Sequence, residues 1–239
     1  MPDRHLRDLR ELTCMRSQVV QDHTGVVNRL QAVLEDANIK LASVVSDIIG
    51  VSWRAMLEGL MEGRKPAELA QLAKGKLRAK MPELEQAGEG DFRKQHTFLV
   101  QRMLMQTRFL ENQETALRRA IGSHRNPQER HVGVLWDSIP GVNEAVAWSM
   151  VAEMGTRVEQ FPEAHHLASW VACCPGNHES GGKRRRGRIR KGNPWLRDAM
   201  GEAAWAAART KGTTYRPCIA ESPPAAARSA PWWRWPMRW

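Results

Sequence analysis

Residues 4–36, RHLRDLRELTCMRSQVVQDHTGVVNRLQAVLED, carry the pattern that decides the fold. Leu9, Leu12, Met15, Val19, Val26, Leu30 and Val33 recur at spacings of three, four or seven, the period of one face of an α-helix. The positions between them hold mainly Arg, Asp and Gln, with His23. Gly25 is the one weak helix former in the run. So narrow an apolar seam suits a coiled coil better than a globular core. A partner stripe lies in residues 91–121, where Phe92, Leu99, Met103, Leu110, Leu117 and Ile121 fall in line with polar gaps at Gln106 and Glu114. Each helix would be about 45–50 Å long at about 1.5 Å per residue. Shorter helices are predicted between them over Leu41–Ile49, Ser52–Met61, Pro66–Ala73 and Pro82–Ala87. Ser52 is a candidate cap for the second and Gly50 a stop for the first, while Pro66 and Pro82 fit first turns.

The fold class that follows is mainly α. It has a long antiparallel helical coiled-coil hairpin with a small helical insertion, followed by a small helical domain with a helix-hairpin-helix-like element and a Gly/basic loop. A hairpin of this kind implies spacing or dimerisation rather than chemistry, and predicts a homo-oligomer through the coiled coil. The polar stretch Gly122–Gln128, with Pro127 breaking the pattern, marks a boundary. Three segments result: a coiled-coil region over 1–126, a second domain over 127–215, and a tail over 216–239.

Downstream of the boundary, Leu135-Trp136-Asp137-Ser138-Ile139-Pro140-Gly141-Val142-Asn143-Glu144-Ala145 leads into a helix through Met154. In a helix-hairpin-helix element, a Pro-Gly turn exposes backbone N–H groups at a helix N-terminus to phosphate. That makes Gly141 a candidate nucleic-acid contact. The other reading is an ordinary helical corner, with Asn143 standing where the hairpin has its second glycine. Residues 163–172 form a short helix, in which His165 and His166 are adjacent and make a poor metal pair. Pro194–Arg209 is the last helix, with Trp195, Ala199, Ala203 and Ala206 as a small-residue face.

The formal net charge of +10 over 239 residues implies a polyanionic partner. Nucleic acid is the simplest such partner and a membrane surface the alternative. No apolar run is long enough to span a bilayer, and the polar start Met1-Pro2-Asp3-Arg4-His5 lacks a signal-peptide core. The expectation is no membrane insertion and a cytoplasmic location. Cys14, Cys173, Cys174 and Cys218 show no CxxC spacing, which argues against a zinc site or a disulfide framework.

The densest chemistry lies in Pro175–Arg197. Ser180 sits between Glu179 and the pair Gly181-Gly182, and seven cations follow within nine residues: Lys183, Arg184, Arg185, Arg186, Arg188, Arg190 and Lys191. Such cations neutralise phosphate, and a serine among them is placed to attack a phosphodiester. Spacing alone favours the plainer reading, a basic surface turn whose serine satisfies a backbone group.

From Ile139 to Lys211 an ordered series of motifs resembles the C-terminal domain of insertion-sequence transposases of the IS one-ten family. They include Ile139-Pro140-Gly141-Val142, Ala152-Glu153-Met154-Gly155, Leu167-Ala168-Ser169-Trp170, Cys174-Pro175-Gly176-Asn177 and Glu179-Ser180-Gly181-Gly182-Lys183. Arg190-Lys191-Gly192-Asn193-Pro194-Trp195-Leu196-Arg197 and Glu202-Ala203-Ala204 complete the series. Residues 2–34 and 50–61 resemble that family's central coiled-coil region. The resemblance implies DNA transposition, a serine nucleophile at Ser180, DNA and a bridge RNA as partners, and magnesium held by four acidic residues of a RuvC-like domain. It raises Ser180 from a turn residue to the favoured nucleophile. The alternative is a noncatalytic DNA/RNA-binding and dimerisation remnant of such a transposase.

Two departures accompany the resemblance. No βαβ pattern with paired carboxylates precedes the coiled coil, so no magnesium site is assignable in this chain, and a truncated protein, inactive alone, is expected. Beyond Tyr215 the composition shifts, with four tryptophans in Trp232–Trp239. A one-base shift in reading frame with GC-rich codons turns residues 216–239 into a basic amphipathic segment. That predicts a frameshift near Tyr215–Arg216 and a disordered tail.

Overall fold

The computed structural model describes residues 3–45, 50–157, 159–173, 179–184 and 191–210. It is mainly helical. The first element is α1 (Arg4–Asp36); then come α2 (Leu41–Val44), α3 (Val51–Met61), α4 (Pro66–Gln71), a 3₁₀ turn (Gly75–Lys80), α5 (Met81–Ala87) and α6 (Lys94–His124). After them lie α7 (Pro127–Asp137), α8 (Glu144–Met154), α9 (Ala164–Trp170), the two-residue strands β1 (Glu179–Ser180) and β2 (Lys183–Arg184), and α10 (Pro194–Arg209). The chain divides into two compact units, one of residues 16–118 and one combining residues 1–15 with 119–239.

In the unit of residues 16–118, the long helices pack as a hairpin through Val19, Val26 and Leu110, with Met103 and Leu117 beside them. The seam on α1 runs Arg16, Val19, His23, Val26, Leu30 and Val33; on α6 it runs His96, Val100, Met103, Thr107, Leu110, Glu114 and Leu117. Both rows alternate steps of three and four, the heptad pattern of a coiled coil. The seam corrects three sequence-based positions. Met15 is 52% exposed, and Arg16 takes its place. Leu99 is exposed, whereas Val100 is fully buried. The polar gap falls at Thr107 rather than Gln106.

The physical reason is that polar residues on the seam find partners. Arg16 pairs with Glu114 at 3.0 Å and the Thr107 hydroxyl donates to the Leu104 carbonyl, whereas His23 Nε2 lies 3.5 Å from Glu111 without a hydrogen bond. A search for apolar residues alone slides to the nearest hydrophobic neighbour.

Helix α1 stops at Asn38, whose φ of +57° lets the Ile39 amide reach back to the Leu34 carbonyl at 2.8 Å. This is a Schellman ending. Beyond it, the insertion folds over Trp53, Met56, Leu57, Leu69 and Leu84, which together with Leu34, Ile39 and Leu41 form the main core. Gly50, not Ser52, is the N-cap of α3. Ser52 is buried within the first turn, two residues past the cap, where its hydroxyl accepts the Lys74 amide. The helix predicted over Leu41–Ile49 stops at Val44, with Val45 extended, and residues 46–49 lie outside the described residues.

In the other unit α8 is the central element. Val146, Ala147, Trp148 and every residue from Met150 to Met154 are buried, as expected of a helix packed on most of its circumference. One side meets Leu196, Ala199 and Ala203 of α10, and another meets Leu9 of α1 and Ile121 of α6. The buried face of α10 is Leu196, Ala199, Ala203 and Ala207, so Ala206, exposed, is displaced by Ala207. Asn126 and Glu129 form a reciprocal capping box that starts α7 at Pro127.

Candidate nucleophile loop and nucleic-acid interface

The described part of the basic loop is a minimal β-hairpin. Glu179 pairs with Arg184 and Ser180 with Lys183. Gly181 and Gly182 form the two-residue turn, with φ of +61° and +71°. Positive φ at both central positions is the signature of the turn whose twist suits an antiparallel pair. A Cβ at either glycine would meet nothing within 4 Å, so the glycines are there for backbone conformation rather than space. Ser180 therefore occupies the last strand position before the turn, in register with a lysine. Arg185, Arg186, Arg188 and Arg190 lie outside the described residues, as does the tail over 216–239. Lys191 is described and exposed.

The loop departs from and returns to firmly held positions. Helix α9 ends in a Schellman motif: the Cys173 amide donates to the Ala168 carbonyl at 2.8 Å and the Ala172 amide to the Ser169 carbonyl at 3.1 Å. Ala172 takes the left-handed position with φ of +63°, where glycine is usual. On the return side, Gly192 lies flush against this corner. A Cβ there would stand 2.5 Å from Ala172 Cβ and 3.0 Å from the Val171 carbonyl oxygen. Asn193 caps α10 by accepting the Leu196 amide at 3.2 Å. Its Nδ2 donates to Glu153 Oε2 at 2.5 Å.

Glu153 is 7% exposed and lies in the last turn of α8. Arg10 covers that helix end, donating to the carbonyls of Ala152 and Glu153 at 2.8 and 2.6 Å. The Arg10 guanidinium also stands 3.4 Å from the Glu153 carboxylate. Cys14 lies near this pair. Burial, then the negative charge of Glu153, push its thiol up to about 11, against the opposing charge of Arg10. A thiol so held stays protonated and is no nucleophile at neutral pH.

At the α7–α8 corner, Gly141 has φ of +91°. A methyl group there would run into the Ala203 carbonyl and the Ala207 amide nitrogen, and would stand 2.9 Å from Ala207 Cα. Close approach of the corner to α10 thus accounts for the missing side chain. The Asn143 side chain accepts the Val146 amide at 2.9 Å, and Glu144 adds a carboxylate to the first turn of α8.

His165 and His166 are exposed, their ring centroids 4.1 Å apart and the rings tilted by 30°, with Glu163 3.0 Å from His165. Among the described residues no group of three or more His, Cys, Asp or Glu gathers to hold a metal ion. The described residues therefore do not fit the magnesium that the resemblance implies. No described helix is long and apolar enough to cross a membrane.

Sequence reasoning singled out Ser180 and its cations and did not single out Glu153, Asn193 and Arg10 as a group. Asn193-Pro194 did carry a cap-plus-first-turn signal; nothing in the local sequence tied Asn193 to Glu153, forty positions away. Compared with known proteins, residues 135–217 match the family described as Transposase IS116/IS110/IS902. No curated protein matches the chain.

Proposed function

We propose that the chain, whose residues 135–217 match the IS116/IS110/IS902 transposase family, serves DNA transposition with Ser180 as the nucleophile. In the reaction the Ser180 oxygen bonds to phosphorus as the bond from phosphorus to the 3′ oxygen breaks. A base takes the serine proton, and a proton delivered to the departing oxygen by an acid or water makes that DNA end a 3′-hydroxyl. The product is a 5′-phosphoseryl link that keeps the energy of the phosphodiester, so rejoining needs no nucleotide cofactor. Serine hydroxyls are weak nucleophiles and need activation. Charge growing on the phosphoryl oxygens needs cations fixed nearby.

The observation that carries this reading is the seat of Ser180. It ends a strand within the family segment, in register with Lys183 and next to a turn built by two glycines with positive φ. Lys183, Arg184, Arg185, Arg186, Arg188, Arg190 and Lys191 are assigned to phosphate, while packing of the corner on α10 accounts for Gly141 without such a contact. Bridge RNA is the second nucleic-acid partner.

The test is a covalent adduct. Purified protein is incubated with its element's DNA, magnesium and bridge RNA, and protein–DNA species are resolved under denaturing conditions. An adduct that Ser180→Ala abolishes is expected. Its absence, under conditions where an active relative forms one through its own serine, sinks the reading.

A second reading is a binding and self-pairing module without chemistry. It is favoured by a separate observation: Phe98, Met105 and Phe109 on α6 are each more than half exposed, at spacings of seven and four. The same unit already uses that period for its buried seam. Mass measured across concentration tests it; a monomer throughout removes self-pairing.

A further inference from the structure

We propose that Glu153 is a positioning residue, the buried anchor that fixes where the Ser180 loop returns to the domain. The inference rests on the reading of Ser180 as the reacting group only for its functional meaning; the anchor itself stands on geometry. A carboxylate at this place is costly twice over. It is removed from water, and it lies at the C-terminal end of α8, where the helix dipole is negative. Arg10 offsets the second cost by covering the α8 carbonyls and standing 3.4 Å from the carboxylate. The remaining strong partner is Asn193 Nδ2 at 2.5 Å.

Asn193 is bound on both sides of its amide, since its oxygen caps α10 while its nitrogen holds Glu153. It directly follows Gly192, whose backbone is flush against Ala172 at the departing end of the loop. Glu153 thus ties the return of the loop to α8, and Gly192 ties it to the departure. Neither contact touches Ser180, so the effect on chemistry runs through the placement of the loop.

Trypsin tests this without requiring DNA chemistry, because cleavage between Lys183 and Lys191 reports on the loop while cleavage at Arg102 or Arg118 reports on the helices. Glu153→Ala and Asn193→Ser, which keeps a capping hydroxyl, should each raise the loop-to-helix cleavage ratio by roughly tenfold. Because they break one bond, the double variant should be no worse than the more affected single one. Glu153→Gln keeps an oxygen for Asn193 and should restore the ratio to within about threefold of the parent. A parental ratio in Glu153→Ala, or effects that multiply in the double variant, overturns the proposal. Ser180→Ala should leave the ratio unchanged while abolishing any adduct, so loss of the anchor and loss of the nucleophile reading are distinguishable.

A different observation carries a second inference. Between Ala73 and Met81 the chain has four cations, Lys74, Lys76, Arg78 and Lys80, and no acidic residue. All four are exposed. They sit on the 3₁₀ turn and its N-cap, held from beneath by the Ser52 hydroxyl and by Leu77 against the core. Among the described residues none of them is in an ion pair, whereas Arg16, Arg54, Arg64, Arg108 and Arg118 of the same unit all are. The nearest carboxylates in sequence, Glu68 and Glu83, lie on α4 and α5 and make no ion pair with them. The geometry points to a second phosphodiester-binding surface, outside the family segment.

The test replaces all four with glutamine and measures binding of a labelled DNA duplex and a labelled RNA hairpin across salt. Each lost phosphate contact removes about 0.7–0.9 from the slope of log affinity against log salt, so the slope should shrink by about 2–4. A loss on DNA, on RNA or on both supports the surface and identifies its ligand. Affinity within twofold of the parent and an unchanged slope on both overturn it, as does an effect confined to binding of phosphatidylserine vesicles.

Discussion

Replacing Gly141 with alanine separates two readings of the same residue. If the glycine is there to let the α7–α8 corner approach α10, the cost follows from its surroundings. The added methyl meets the Ala203 carbonyl, the Ala207 amide nitrogen and, at 2.9 Å, Ala207 Cα. All are backbone atoms of one helix, so no side chain can swing aside. Overpacking of that kind costs about 1–3 kcal/mol. The φ of +91° adds strain for any residue with a Cβ, about 1–2 kcal/mol. Together they make about 3 kcal/mol, or roughly a hundredfold in an opening equilibrium at about 1.4 kcal/mol per tenfold. Amide hydrogen exchange in α8 and α10 reads this directly, with protection falling by about that factor. Gly181→Ala is the control. Its φ is also positive but a methyl has open space, so only strain of about 1 kcal/mol remains, confined to the hairpin. Unchanged protection in Gly141→Ala, with weakened DNA binding, would refute the packing argument and leave phosphate contact as the glycine's purpose.

Other expectations can be checked alongside. Burial alone would raise the Glu114 carboxyl, but the hydrogen bond and charge of Arg118, then Arg16, hold it below its usual 4.5. Its pairing therefore stabilises the fold fully above that value, and the contribution fades as pH falls through the lower folded-state value. Glu114→Gln should be less stable than the parent by at most about 1 kcal/mol at neutral pH. The two melting temperatures should converge in acid; a constant gap would argue against the ion pairs. Cys14, with its thiol near 11 against an ordinary 9.0, should alkylate at pH 8 roughly a hundredfold more slowly in the folded than in the unfolded chain. Peptide mapping after iodoacetamide measures this, and equal rates would contradict its burial beside Glu153. Gly122→Ala, inside α6 with nothing within 4 Å of the new methyl, should stabilise by about 0.5–1 kcal/mol; a lower melting temperature would show that the glycine has another task.

The helices were legible in the sequence because their period is carried by many residues. The register was less so, and for a definite reason. Arg16, His23 and Thr107 occupy seam positions as polar residues, where a pattern based on hydrophobicity expects none; Glu114, also on the seam, is read as a gap in the stripe. Arg16 reaches Glu114 only because the antiparallel arrangement brings residues 98 positions apart to 3.0 Å. No local window contains that fact. The reading of Gly122–Gln128 as a polar break met the same difficulty in reverse. Gly122 remains within α6, and the real punctuation is the Asn126–Glu129 capping box, which was present in the sequence at its usual spacing.

For the site, the turn chemistry of Gly181-Gly182 was readable and the reason for it was not. Two adjacent glycines admit many backbones; the pairing of Ser180 with Lys183 selects the one with both φ values positive. That register places the serine backbone at a strand terminus opposite Lys183. The opposite case is Glu153. In the sequence it is one carboxylate in an apolar helix, and its burial would count against stability. It becomes intelligible only with Arg10 from α1 and Asn193 from the start of α10 beside it. A buried acid kept in place by partners from two other elements is an unfavourable way to build a core, since a hydrophobic residue of similar size is often as stable or more so. Glu153→Met therefore need not unfold the domain. What it should lose is the tie to Asn193, so a stable variant with a released loop is the outcome that separates positioning from packing.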